Sequence, residues 1–170
     1  MNAASYHLIA ILFGLGVTLH NLEEAMFLVR WTRAHLKLRF TQDQKIYWVV
    51  TSLVSVAIWI PIIGIRIWPE SARLQWALSG FALTMAVNAV IPHLALSIAT
   101  RSYSPGVGTG MLLNLPLGVW LIHQQYDAHV LTNIWRQAVP YGVLLAVGAL
   151  GLLFGAHAVL AWKRRFHSTS

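Results

Sequence analysis

The sequence predicts an all-α membrane protein with about five transmembrane helices. Of its 170 residues, 57% are hydrophobic and only 10% are charged, and the mean hydropathy is +0.61. Soluble domains carry about 25% charged residues, so this composition is typical of an integral membrane protein. Five apolar runs reach the length of about 20 residues that a helix needs to cross a bilayer. They lie near 6–29, 46–68, 75–98, 106–125 and 138–162.

The first span is expected to be a retained helix. Residues 1–7 carry no Lys or Arg, and no small-residue cleavage site follows them. The second, third and fourth spans each contain a proline, namely Pro61, Pro92 and Pro116. An interior proline bends a helix and leaves a carbonyl without its donor, which in hydrocarbon needs a partner inside the protein.

The fifth span carries a stripe of small residues, Gly148, Gly151 and Gly155, of the kind that allows close helix contact. This stripe predicts a surface through which two copies of the chain could associate. The connections between spans are short, which favours antiparallel neighbours in one bundle and a single domain over residues 1–170.

The distribution of Lys and Arg predicts the orientation of the bundle. Nine of the 12 basic residues fall in the first connection, the third connection and the tail, and three fall in the other two connections. Because cytoplasmic connections carry the excess, the N-terminus is expected outside and the C-terminus in the cytoplasm. The net charge of +7 is therefore a topology signal, and no nucleic-acid partner is predicted.

The first span contains an unusual polar group in the stretch HNLEEA. His20, Glu23 and Glu24 are three and four residues apart and share one helix face. A carboxylate inside a bilayer is costly, and two adjacent carboxylates repel each other unless a cation lies between them. The pattern therefore favours a cation near this face.

Further polar residues fall at a comparable depth in the other spans. His93 and His157 lie in the predicted cytoplasmic half, Asn88 lies slightly deeper, and Asn114 lies near the middle of the bilayer. Imidazole and carboxylate ligands suit Zn, Fe or Mn, and the absence of cysteine excludes a thiolate site. The predicted metal ligands are His20, Glu23, Glu24, His93 and His157. Glu23 and Glu24 are also the predicted catalytic groups, and Asn88 and Asn114 are predicted to contact the substrate or the ligands.

Less specific interpretations compete with this site. The two acids could pair with Arg30 or Arg101 at the membrane surface. Asn88 could satisfy the backbone gap that Pro92 leaves. His157 points nearly opposite to the glycine stripe, so it faces the site only if that stripe packs elsewhere.

Taken together, the stretches HNLEEA, NAVIPHL and YSPGVGTGMLLNLP resemble the HXXEE-domain family of small bacterial membrane proteins. The naming motif corresponds to His20, Glu23 and Glu24, and the later Asn and His correspond to Asn88 and His93. The resemblance covers roughly residues 15–125. It implies an integral protein of a bacterial inner membrane, and it implies no reaction.

Three functions are compatible with this pattern. The first is a membrane-embedded metalloenzyme, a hydrolase or an oxidoreductase, that acts on a lipid-like or other apolar substrate. The second is a metal-free isomerase or cyclase in which Glu23 or Glu24 protonates an alkene. The third is a small proton-coupled transporter with the acid pair as a relay.

Overall fold

The structure is a computed structural model that describes residues 3–36 and 43–167. All regular elements in these two stretches are helical, which confirms the all-α prediction. They are α1 (Ala3–His35), α2 (Gln44–Ile67), α3 (Ala72–Asn88), α4 (Ala95–Thr100), α5 (Val107–Thr109), α6 (Leu115–Asp127), α7 (Ile134–Gln137) and α8 (Val139–His167).

Four helical stretches in the described residues are long and apolar enough to cross a membrane. They are Ala4–His35, Gln44–Ile67, Ala72–Thr100 and Val139–Leu160. The protein is therefore a helical protein with apolar helices of membrane-spanning length. The first of them continues past Arg30, which the sequence had placed at the membrane boundary, as far as His35.

The predicted fourth span, 106–125, is not one regular helix. A wide turn, Gly110–Asn114, separates α5 from α6. Pro116 has no N–H to donate to the carbonyl of Leu112. In the turn before it, the Leu115 N–H donates to the carbonyl of Gly110, five residues back, instead of to the residue four back as in a regular α-helix. This segment consequently falls outside the set of long apolar helices.

The predicted third span, 75–98, is broken near its proline. After Asn88 the helix widens over Ala89–Leu94, and Ile91 leaves helical geometry with φ −127° and ψ 111°. The chain then resumes as α4. His93 lies inside the break and is 1% exposed, so the distortion turns this side chain into the protein.

The hydrophobic core lies between α1, α2, α3 and α6. Phe13, Ile58, Leu78 and Leu121 are fully buried there. At one end of this core the buried Gln125 amide joins three elements, because it donates to the Tyr6 hydroxyl at 2.8 Å and to the Gln75 carbonyl at 3.2 Å, and accepts from Ser79. These bonds satisfy a polar group that would otherwise be costly to bury.

The last long helix, α8, packs against α3 where two glycines allow a close approach. A Cβ built on Gly80 would lie 2.7 Å from the backbone nitrogen of Gly142. The Thr84 hydroxyl contacts the Gly142 carbonyl at 3.1 Å. The predicted glycine stripe of α8 points elsewhere, because a Cβ at Gly148, Gly151 or Gly155 would meet nothing within 4 Å.

Candidate metal centre

Three groups that can bind a metal converge between α1 and the break after α3. His20, Glu24 and His93 each present one donor atom, and these atoms lie within 4.8 Å of one another. Glu24 Oε1 lies 2.8 Å from His93 Nε2 and 3.8 Å from His20 Nε2. The side chains of His20 and His93 are 0% and 1% exposed, and that of Glu24 is 16% exposed. This is a buried set of two imidazoles and one carboxylate.

His93 has the most unusual environment of the three. Neither ring nitrogen has a hydrogen-bond partner among the described residues. Its Nε2 lies within ion-pair distance of Glu24 Oε1, at 2.8 Å, but forms no hydrogen bond with it. Buried polar groups are nearly always paired, so an unpaired one calls for an explanation such as a missing ion. Two ligands of one ion approach each other in this way, since their lone pairs aim at a shared point rather than at each other.

Local structure explains how the three groups meet. His20 and Glu24 are one turn apart on α1, so they share a face, and the break at Ile91 presents His93 to that face. Gly106 packs against both rings, because a Cβ there would lie 2.7 Å from His93 Cε1 and 2.9 Å from His20 Cε1. Gly106 also has φ +94°, which glycine adopts without strain.

Glu23 does not join the three ligand groups. Its Oε2 accepts a hydrogen bond from the Thr109 hydroxyl at 2.7 Å, and the same hydroxyl oxygen lies 3.1 Å from His20 Nδ1. Since Thr109 has one proton and gives it to the carboxylate, its oxygen can only accept from His20 Nδ1–H. The series of hydrogen bonds from Glu23 through Thr109 to His20 therefore fixes the tautomer of His20. It leaves the lone pair on Nε2, the ring nitrogen nearest Glu24.

The second oxygen of Glu23 is also engaged. Glu23 Oε1 accepts from the Tyr103 hydroxyl at 2.8 Å, and that hydroxyl accepts from the Gly108 N–H at 3.2 Å. Burial, together with the bond to Glu23 and its charge, raises the pKa of Tyr103 above its usual value. Tyr103 therefore stays protonated at neutral pH and keeps donating to Glu23.

The two predicted asparagines have different places. Asn88 Nδ2 lies 3.0 Å from His20 Nε2, so its side chain contacts the centre rather than the backbone gap near Pro92. Asn114 is fully buried against Gly16, where a Cβ would lie 3.1 Å from Asn114 Oδ1. Gly16 is one turn from His20 on α1, so Asn114 lies beside the centre and not in it.

His157 is not brought to the centre, and its prediction as a ligand is corrected. Its Nε2 accepts from the backbone N–H of Asp43 at 2.9 Å, and its ring packs edge-on against Tyr47. Its Nδ1 contacts the Leu153 carbonyl at 2.7 Å. One ring nitrogen thus links α8 to the start of α2, and the other contacts the preceding turn of α8 itself.

The alternative pairing of the two acids with arginine does not occur among the described residues. Glu24 contacts two histidines and Glu23 contacts two hydroxyls, and no ion pair joins either acid to Arg30 or Arg101.

A cavity of about 420 Å³ lies directly beside Glu24, between α1, α2, α3 and α8. Asn88 and Tyr47 share this wall with Glu24, and most of the remaining lining is aliphatic. An apolar pocket with a few convergent polar groups is the usual form of a small-molecule site.

Sequence reasoning missed Thr109, Tyr103 and Tyr47. Thr109 and Tyr103 belong to the stretch YSPGVGTG, which contributes to the family resemblance but does not mark either residue as part of a site. A hydroxyl next to a glycine at a span start carries no metal-site signal by itself. Its role depends on the loop that folds back over Glu23.

The chain matches the protein family described as "Protein of unknown function with HXXEE motif" over residues 11–121. "Uncharacterized protein YrkK" of Bacillus subtilis (strain 168) is 27% identical over 141 residues, which are 83% of this chain and 88% of that protein. "Na(+)/H(+) antiporter NhaA 2" of Frankia alni is 36% identical over 76 residues, which are 42% of this chain and only 16% of that protein. No solved structure matches the chain significantly.

Proposed function

Because the chain belongs to the HXXEE family, whose function is unknown, we propose a function from its buried cluster: a membrane-embedded, metal-dependent enzyme that acts on a lipid-like substrate. His20, Glu24 and His93 are the proposed ligands. The observation that carries the proposal is the buried His93 ring, which lies 2.8 Å from a carboxylate oxygen and has no hydrogen-bond partner.

The donor set fits a divalent transition metal. Two neutral imidazoles and one carboxylate, with no cysteine in the chain, suit Zn, Fe or Mn. Two donors that each lie about 2.0–2.2 Å from one ion are at most about 4.4 Å apart. The separations of 2.8 and 3.8 Å already meet this limit, and small side-chain rotations can bring the whole set, now within 4.8 Å, inside it. Bound there, such an ion supplies Lewis-acid chemistry, or redox chemistry if it is iron.

The protein groups have separable roles in this proposal. Glu24 is a ligand that also faces the cavity, so it is the acid best placed to meet a substrate. Glu23 acts through Thr109 and holds His20 in the tautomer that leaves Nε2 unprotonated, so that this nitrogen can exchange its contact with Asn88 Nδ2 for a metal. Asn88 lies on the cavity wall and contacts His20, so it can orient a polar group of the substrate.

Elemental analysis of the purified protein, next to the His93→Gln variant, tests this function. The wild type should carry Zn, Fe or Mn in stoichiometric amount, and the variant should lose it. Lipid extracts incubated with the wild type, with and without chelator, then test the reaction. Products that form equally well after chelation would instead favour the metal-free isomerase.

We also propose that the chain crosses the membrane five times, with the segment 107–127 as the fourth crossing. Thr109 contacts Glu23 at one end of this segment, and Gln125 contacts Tyr6 at the other. Tyr6 and Glu23 are roughly 25 Å apart along α1, so the segment runs most of the length of the bundle. The charge distribution supports an outside N-terminus and a cytoplasmic C-terminus in a bacterial inner membrane.

Proton-coupled transport is a second candidate function. It is favoured by the local likeness to a protein named as a Na(+)/H(+) antiporter. Against it, the likeness covers only 16% of that protein. Sodium-dependent proton flux in proteoliposomes, together with a metal-free wild type, would favour transport over the enzyme.

A further inference from the structure

The last helix, α8, contacts the rest of the bundle at Gly142 and again at His157, and a cavity lies against the turns between these two contacts. Near its start, Gly142 meets Gly80 and Thr84 of α3. Near its other end, His157 contacts Asp43 and Tyr47 at the start of α2. The turns between these contacts, from Leu145 to Leu153, line the cavity beside Glu24.

This cavity opens sideways, between α3 and α8. Val87 and Ile91 on the α3 side and Leu150 on α8 all line it, yet they are 54%, 66% and 53% exposed. Both helical stretches are long and apolar enough to cross a membrane. The slot between them therefore faces the hydrocarbon of the bilayer rather than water.

Three of the polar side chains that line the cavity already form hydrogen bonds within the protein. The Thr51 hydroxyl donates to the Tyr47 carbonyl, and the Thr84 hydroxyl donates to the Gly80 carbonyl. Asn21 donates to the Ser55 hydroxyl at 3.0 Å. Those groups are bonded away from the metal centre. The wall near the centre, with Glu24, Asn88 and Tyr47, is the polar end of a mainly apolar cavity.

We propose that this cavity binds one hydrocarbon chain of a membrane lipid, which enters through the slot between α3 and α8. The polar end of the lipid lies at Glu24 and Asn88, beside the metal centre. A volume of about 420 Å³ is within the usual range for small-molecule sites, roughly 300–1,000 Å³. The inference deepens the proposed function and rests on it for the chemistry at the polar end.

Photolabelling in proteoliposomes tests this inference. The probe is a long-chain fatty alcohol with a diazirine at mid-chain, and mass spectrometry locates the label. Met85 is the informative position, because it lines the cavity but is only 4% exposed, so lipid around the protein does not reach it. The wild type should be labelled at Met85.

Two tryptophan variants of α8 provide the comparison. Ala149→Trp fills the cavity, and Val147→Trp places the same ring on the lipid-facing side, where Val147 is 62% exposed. Label at Met85 should be lost in Ala149→Trp and retained in Val147→Trp. Ala146→Phe fills the cavity from one helical turn earlier and should also lose the label at Met85. It replaces Ala149→Trp in the comparison if that variant does not fold.

Label confined to outward residues of the wild type, or equal label at Met85 in a folded cavity-filling variant, would overturn the inference. Measuring the metal content of the same variants distinguishes failure of the lipid-binding inference from failure of the proposed function. His93→Gln should lose metal and keep label at Met85, whereas Ala149→Trp should keep metal and lose label. A wild type that is labelled at Met85 but holds no metal would contradict the enzyme and leave the lipid cavity standing.

Discussion

Glu23 and Glu24 are neighbours in the chain, yet their carboxylates have different partners. Glu24 lies between two buried histidines, and Glu23 accepts bonds from Thr109 and Tyr103. Adjacent helical residues point about 100° apart, so one can face the histidines while the other faces the loop after α4. The paired acids of the motif are thus one candidate ligand and one positioning group.

Glu24→Gln and Glu23→Gln test this division, since both change a carboxylate to an amide of the same shape. Glu24→Gln removes a ligand and should weaken metal binding by more than about 100-fold. Glu23→Gln alters only a group that acts on His20 through Thr109, and it should weaken metal binding by about 10-fold. Competition with a chromophoric chelator measures both affinities, and equal losses would mean that the two acids share one role.

Variants of Thr109 test more directly the hydrogen bonds that link Glu23 to His20. Thr109→Val keeps the shape but removes the hydroxyl between Glu23 and His20, so metal affinity should fall about 10–100-fold. Thr109→Ser keeps the hydroxyl and should restore the affinity. A valine variant that binds metal like the wild type would show that the tautomer of His20 does not depend on this contact.

At the scale of elements, the centre depends on two departures from regular helix. The break after Asn88 turns His93 inward, and the left-handed Gly106 brings the loop against both histidine rings. The sequence predicts the first of these from Pro92, and it predicts the shared face of His20 and Glu24 from their spacing. It does not predict the contact of Gly106 or of Thr109, because those depend on how a loop folds over a distant helix.

Gly106→Ala should destabilise the protein. Its Cβ would lie 2.7 Å from His93, and its φ of +94° would cost about 1–3 kcal/mol for an alanine. Gly148→Ala is the matched control, because a Cβ there meets nothing within 4 Å and the change favours a helix by about 0.5–1 kcal/mol. Thermal unfolding in detergent should show a lower Tm for the first variant and an unchanged or higher Tm for the second. A Gly106→Ala protein as stable as the wild type would contradict the tight packing of the rings.

At the scale of the whole molecule, four of the five predicted spans correspond to helical stretches long and apolar enough to cross a membrane, and the predicted span 106–125 is less regular than its hydropathy indicates. The wide turn at Gly110–Asn114 is a response to Pro116 that a window of mean hydropathy does not register. His157 was misassigned for a similar reason, since its depth matched the site but its partner, the N–H of Asp43, lies just before the start of α2. Association of two copies through Gly148, Gly151 and Gly155 stays a prediction.

Single cysteines test whether the segment 107–127 is the fourth crossing, and they do so without background because the chain has no cysteine of its own. Lys45→Cys and Asp127→Cys should react with a membrane-impermeant reagent from opposite sides, the first from the cytoplasm. If both react from the same side, the segment 107–127 does not cross the membrane.

X-ray absorption spectroscopy of the purified protein tests directly whether His20, Glu24 and His93 hold a metal. A metal held by these three residues should show nitrogen and oxygen neighbours at about 2.0–2.2 Å, outer-shell scattering from two imidazoles, and no sulfur. The imidazole signal should fall in His93→Gln. A spectrum with oxygen neighbours alone, unchanged in His93→Gln, would contradict the proposed centre.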